Sequence, residues 1–139
     1  MSAPILRRIQ PEGVGEVQSF VVDGLAAIVE SCPTVPWRAA DVLRALLDGR
    51  CALYLNDDGF VVVTRKLEEI TGRPYLNLWL MWFRPGTGKA VMADVIAWLD
   101  QVCKDTACDW WEGSSTREGW GRALRDYCEP AYITWRRVP

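Results

Sequence analysis

Glu112 closes the stretch Ala107-Cys108-Asp109-Trp110-Trp111-Glu112, a carboxylate set directly after two indoles. Burial beside Trp110 and Trp111 would raise its pKa towards neutrality, which is what a general base needs. A strand-end carboxylate in solvent is the plainer reading. A second group with chemical potential is Arg84-Pro85-Gly86-Thr87-Gly88-Lys89. It follows the apolar run Tyr75 to Phe83. It precedes apolar residues at Val91, Val95, Trp98, Leu99 and Val102, spaced as on one helix face. A strand that turns through glycine into a helix leaves backbone N–H groups free at the helix start, and with the helix dipole these hold an anion. The plainer reading is a simple strand-to-helix turn. It is not a Walker loop, because Gly88-Lys89-Ala90 lacks the final Ser/Thr and Phe83 stands where the first glycine belongs.

Other chemistry is excluded by what the chain lacks. It has no histidine, so neither a Ser-His-Asp or Cys-His triad nor a histidine base can be built. The five cysteines (Cys32, Cys51, Cys103, Cys108 and Cys128) have no metal-type spacing, and no metal site is expected. They read as reduced, mostly buried thiols of a cytoplasmic protein. Cys108 as an acyl-accepting nucleophile is the sharper alternative. Arg117, Arg122 and Arg125 read as a solvated helix face or as a phosphate clamp.

The elements that must position these groups follow from periodicity and punctuation. Pro4 to Gln10 is a candidate first strand, broken by Pro11-Glu12-Gly13. Glu16 to Ser31 carries a helical stripe and stops at Cys32-Pro33. Pro36 is expected to start a second helix, with Gly49 at its C-terminal end. Cys51–Leu55, Phe60–Thr64 and Tyr75–Phe83 are expected to form an antiparallel meander, with positive φ available at Gly59 in the first turn. A helix over Lys89–Lys104 then leads to a strand over Ala107–Glu112, which a crossover makes parallel to Tyr75–Phe83. Arg117–Tyr127 reads as a helix and Ala131–Val138 as a closing strand. The order β-α-α-β-β-β-α-β-α-β describes one three-layer α/β (α+β) domain with a mixed central sheet.

Composition agrees with a globular domain: of 139 residues, half are hydrophobic and a quarter charged. The net charge of −2 gives no general case for nucleic-acid binding. The longest apolar run is about half a membrane span, and no signal peptide is visible. Eight tryptophans are many for this length. Trp79, Trp82, Trp98 and Trp120 are expected in the core. Trp37, Trp110, Trp111 and Trp135 are candidates for an acceptor pocket or a protein interface. Trp110 and Trp111, adjacent on a strand, must face opposite sides.

With its element order, and most of all through Trp79 to Lys104, Ala107 to Glu112 and Ser115 to Leu124, the chain resembles the GNAT superfamily of acyl-CoA-dependent N-acetyltransferases. The resemblance implies two parallel strands splayed at a bulge, with acetyl-CoA in the V between them and its pyrophosphate on the turn before the next helix. The family pattern there is Arg or Gln, two residues, Gly, one residue, Gly or Ala. The match is partial in either register: Pro85 stands first if Gly88 and Ala90 are the small pair, and Thr87 and Lys89 stand at the small positions if Arg84 is first. The cofactor-binding residues implied are Met81, Trp82, Phe83, Arg84, Gly86, Thr87, Gly88, Lys89 and Ala90. Glu112 becomes the base that deprotonates an amine, and Tyr127 or Tyr132 the acid that reprotonates the CoA thiolate. The pattern from Trp111 to Leu124 also looks like small GNAT-like proteins of tailed bacteriophages. That resemblance implies an alternative: a non-catalytic protein acting through protein contacts in virion assembly or against a host factor, located in the virion or host cytoplasm.

Overall fold

The computed structural model describes residues 6–114, 124–131 and 136–139, with 88–91 described in backbone only. Five strands form one sheet in the order β1 (Arg7–Ile9), β2 (Ala52–Leu55), β3 (Gly59–Leu67), β4 (Pro74–Phe83) and β5 (Trp110–Gly113). The first four are antiparallel to their neighbours. β5 lies parallel to β4. Between those two runs α3 (Gly88–Asp105), the crossover that the strand–turn–helix reading required. A 3-10 turn over Pro11–Gly13 leads into α1 (Val14–Ser31), and α2 (Ala39–Leu47) follows. The expected helix Arg117–Tyr127 and strand Ala131–Val138 lie largely outside the described residues.

The sheet is filled on both faces. Phe60 and Val62 of β3 pack with Leu25, Val21 and Leu53 under α1 and α2. Val61 and Val63 of the same strand pack with Leu76, Val95 and Leu99 under α3. β3 is therefore an unbroken apolar run from Phe60 to Val63, as a strand covered on both sides must be.

Local chemistry corrects three expectations. Pro36 does not open α2, which begins at Ala39, because the Asp41 carboxylate accepts the Arg38 backbone N–H at 2.7 Å and fixes the first turn there. Gly59 is not a positive-φ residue. In the hairpin, Asn56 Oδ1 accepts the N–H groups of Asp58 and Gly59 at 2.8 and 3.0 Å. Gly59 is needed because a Cβ there would overlap the Trp82 carbonyl and the Phe83 ring. Trp37 belongs to the core, edge-on to Trp79 at 6.4 Å between centroids, and lines no rim. Gly49 does end α2 as expected, at φ +72°, with Arg50 N–H on Ala45 O and Gly49 N–H on Leu46 O.

All five cysteines are free thiols. Burial pushes the thiols of Cys51, Cys103 and Cys128 up. A raised pKa means less thiolate, so these three should react slowly with iodoacetamide in the native protein near pH 8. After denaturation without reductant, mass spectrometry should find five adducts. A shortfall of two would show a disulfide.

Candidate functional site

β3 and β4 slip by one residue midway. Val62 pairs with Leu80 and Val63 with Leu78, so Trp79 is the extra residue of a bulge. The side-chain pattern shifts there. Leu76, Leu78, Met81 and Phe83 belong to the α3-side core, whereas Trp79, Leu80 and Trp82 pack on the α1 side. On the other edge of β4, pairing with β5 runs only from Tyr75↔Trp110 to Leu78↔Gly113. Among the described residues the two parallel strands stop pairing beside the bulge, and this end of their pairing is the fork. Gly113 stands at the fork, where a Cβ would come within 3.3 Å of the Leu78 Cβ and carbonyl. Beyond it β4 continues for five residues, roughly 17 Å, to Phe83.

At the far end of that arm the chain turns through Arg84–Thr87. Thr87 N–H bonds to Arg84 O at 3.3 Å and Gly86 takes φ +90°, a type II turn with Pro85 at its second position. Thr87 is the N-cap of α3, yet its hydroxyl donates backwards to Arg84 O at 2.7 Å. Among the described residues no side chain caps the first amides, and the first turn holds no acidic residue. These N–H groups are disposed to accept an anion. The Arg84 side chain is engaged elsewhere: its guanidinium lies over Phe20 at 5.4 Å, and Nε–H donates to Asp57 O at 3.2 Å. The backbones of Gly88, Lys89 and Ala90 form the start of α3.

Glu112 lies at the near end, one residue before the fork and paired with Asn77. It is half-buried. Its Oε1 accepts the Trp110 indole N–H at 2.8 Å, the two side chains lying on one face of β5. Trp110 is itself clamped. Its ring stacks on Tyr75 at 5.1 Å and 3°, the Arg73 guanidinium sits 5.1 Å from its centroid, and Arg73 pairs with Asp109 at 2.9 Å. Trp111 turns to the opposite face, as alternation requires, and donates its indole N–H to Asp100 at 2.8 Å. Tyr127 is 48% exposed on the turn that follows Leu124, and Tyr132 lies outside the described residues. The sequence missed the lock on Glu112. Its signal was the i, i+2 spacing of Trp110 and Glu112, which puts both on one strand face.

The fork and the bulge at Trp79 lie at one end of the β4 arm, and the start of α3 lies at the other. Among the described residues the β4 arm from Trp79 to Phe83 has no strand on its β5 side. The chain is similar over nearly its whole length to solved acetyltransferases. A ribosomal-protein-alanine N-acetyltransferase from Brucella melitensis biovar Abortus superposes with a TM-score of 0.70 at 12% identity, over 96% of each chain. The fold is that of the GNAT acetyltransferases. An aminoglycoside acetyltransferase from an uncultured soil metagenomic sample shares the GNAT fold at a TM-score of 0.69 and 12% identity, again over 96% of each chain. The chain also superposes on an integron cassette protein from the mobile metagenome of V. cholerae, with a TM-score of 0.65 at 9% identity over 96% of this chain and 91% of that one. No protein-family model matches the sequence, and no curated protein matches it either. Identities this low establish the GNAT fold and leave the activity to the site itself. Among the described residues, no helix is long and apolar enough to cross a membrane, and no cluster of metal-ligating side chains occurs.

Proposed function

We propose that the protein is an N-acetyltransferase that takes acetyl-CoA and an amine. The observation that carries this reading is the β4–β5 fork with Glu112 beside its apex and the uncapped start of α3 at its far end. The amides of Gly86 to Ala90 would hold the pyrophosphate, an interaction that needs no particular side chain and so tolerates the partial glycine pattern. The backbone of Met81, Trp82 and Phe83 would line the acyl-bearing arm. Acetyl-CoA supplies the acetyl group as an activated thioester.

The chain's own groups do the rest. Glu112, directly or through a water, takes the proton from the acceptor amine at its carboxylate. Trp110 holds that carboxylate in place through its indole N–H. Backbone N–H groups near the bulge polarise the acyl carbonyl. Tyr127 or Tyr132 returns a proton to the departing sulfur. The β4–β5 walls bring amine and acyl carbon together and so lower the entropic part of the barrier.

Acetyl-CoA should stabilise the purified protein by about 2.7 kcal/mol at 100 times Kd, seen as a raised melting temperature. Gly88→Glu should remove that shift, because a carboxylate in the first turn of α3 repels phosphate. If millimolar acetyl-CoA leaves the melting temperature of the unsubstituted protein unchanged, the transfer reading fails. A non-catalytic protein working through protein contacts would then take its place.

A further inference from the structure

A notch opens in the sheet where β2 begins. β2 pairs with β3 only as far as Ala52↔Val63, while β3 runs on and its Thr64 and Lys66 pair with Asn77 and Tyr75 of β4. Two cavities of about 330 and 220 Å³ share Arg50, Cys51 and Thr64 at this notch. Arg8 and Arg65 also line the larger, and Lys66 lines the smaller; among the described residues neither is lined by a carboxylate. The Cys51 thiol feels both Arg50 and Arg8, which oppose the upward push of burial.

Among the described residues, two of these cations have little else to hold. Arg65 Nε–H is committed to Thr106 O at 3.1 Å, and Arg8 lies over the Tyr54 ring at 5.5 Å. Arg50 has only a loose pair with Asp48 at 3.6 Å, both side chains more than half exposed, and such pairs contribute little. Lys66 forms no ion pair among the described residues.

The smaller cavity leads towards the fork. It is lined by Asn77 and Trp79 as well, and Asn77 is the cross-strand partner of Glu112. Thr64, Asn77 and Glu112 make one row across three neighbouring strands, so Thr64, at the edge of the notch, lies two strand spacings, roughly 10 Å, from Glu112. We infer that the acceptor is an amine carrying an acidic group, carboxylate or phosphate, on a spacer. Its amine sits at Glu112 and its acid between Arg50 and Lys66. The guanidinium grips the oxygens in a planar fork and the ammonium adds a point charge. This inference rests on the transfer reading above.

The test measures acetyl-CoA-dependent thiol release with 6-aminohexanoate, its uncharged relative 6-aminohexanamide, 5-aminopentyl phosphate and spermidine. The two acids should exceed the amide by about tenfold in kcat/KM, the order expected for hydrogen bonds to a charged group, and spermidine should be poorest. Whichever acid is better identifies the group the notch prefers. The double variant Arg50→Gln, Lys66→Gln should bring the acid-to-amide ratio close to one. Arg50→Lys, Lys66→Arg should retain it, which separates lost charge from a damaged fold. An amide as good as the acids, or a ratio that survives the glutamine variant, overturns the proposal. If no amine releases thiol, calorimetric titration of the same compounds decides. An acid preference lost in the glutamine variant upholds the anion site although transfer has failed, and equal binding of acid and amide overturns it.

Discussion

Glu112→Gln should slow acetyl transfer by about 10²- to 10⁴-fold and leave acetyl-CoA binding as it was. Glutamine keeps the shape of the side chain, and its carbonyl oxygen still accepts the Trp110 indole N–H that holds Glu112 at 2.8 Å. What it loses is the ability to take a proton. The loss should therefore fall on kcat, with the acetyl-CoA melting shift unchanged. Steady-state rates beside thermal shifts on the same preparation make the comparison. A variant that turns over at the parent rate would remove Glu112 from the chemistry and hand the base to another group.

Phe60→Ala should cost about 3–5 kcal/mol of stability, the range for deleting a buried aromatic ring. Phe60 is fully buried in β3 and packs edge-on against Phe20 at 6.3 Å and tilted against Trp82 at 5.9 Å. α1 approaches these rings so closely that a Cβ on Gly24 would overlap both Phe60 and Trp82. Gly24 has no side chain to fill the void, and Trp82 is fixed by its place in β4, so the cavity can collapse only by moving α1. The midpoint of denaturant unfolding should fall with the slope unchanged. A loss below about 1 kcal/mol would mean that the helix relaxes freely onto the sheet.

The sequence carried the strand–turn–helix–strand unit from Tyr75 to Glu112 legibly, because one apolar run, one glycine turn and one helical stripe follow in order. Gly49 was legible for the same reason, since turn chemistry is local, but in the first hairpin the expected positive φ at Gly59 gave way to the hydrogen bonds that Asn56 accepts. The bulge at Trp79 was not. From Leu78 to Phe83 every residue is apolar, so a one-residue slip leaves no mark in the periodicity. The start of α2 depended on Asp41 reaching back to Arg38, which a proline at 36 outshone. Trp37 was placed by packing against Trp79, a contact across forty-odd residues that no local pattern encodes. The notch depends on the unequal lengths of β2 and β3, and it shows only when the two are laid side by side. For the site, position was readable and support was not: Glu112 stood out by type, whereas the clamp of Trp110, Tyr75 and Arg73 that steadies it needed the sheet.

Gly113 ends the pairing of β5 with β4 five residues before β4 itself ends. Among the described residues no strand pairs with Trp79 to Phe83 on that side, and proteins ordinarily guard such margins with charge, proline or a covering segment. Trp79 to Phe83 carries neither charge nor proline. A ligand lying along it would serve as a surrogate neighbour, meeting the hydrogen-bonding groups that a sixth strand would otherwise claim. Recognition and protection against self-association would then be one event at one margin of the sheet.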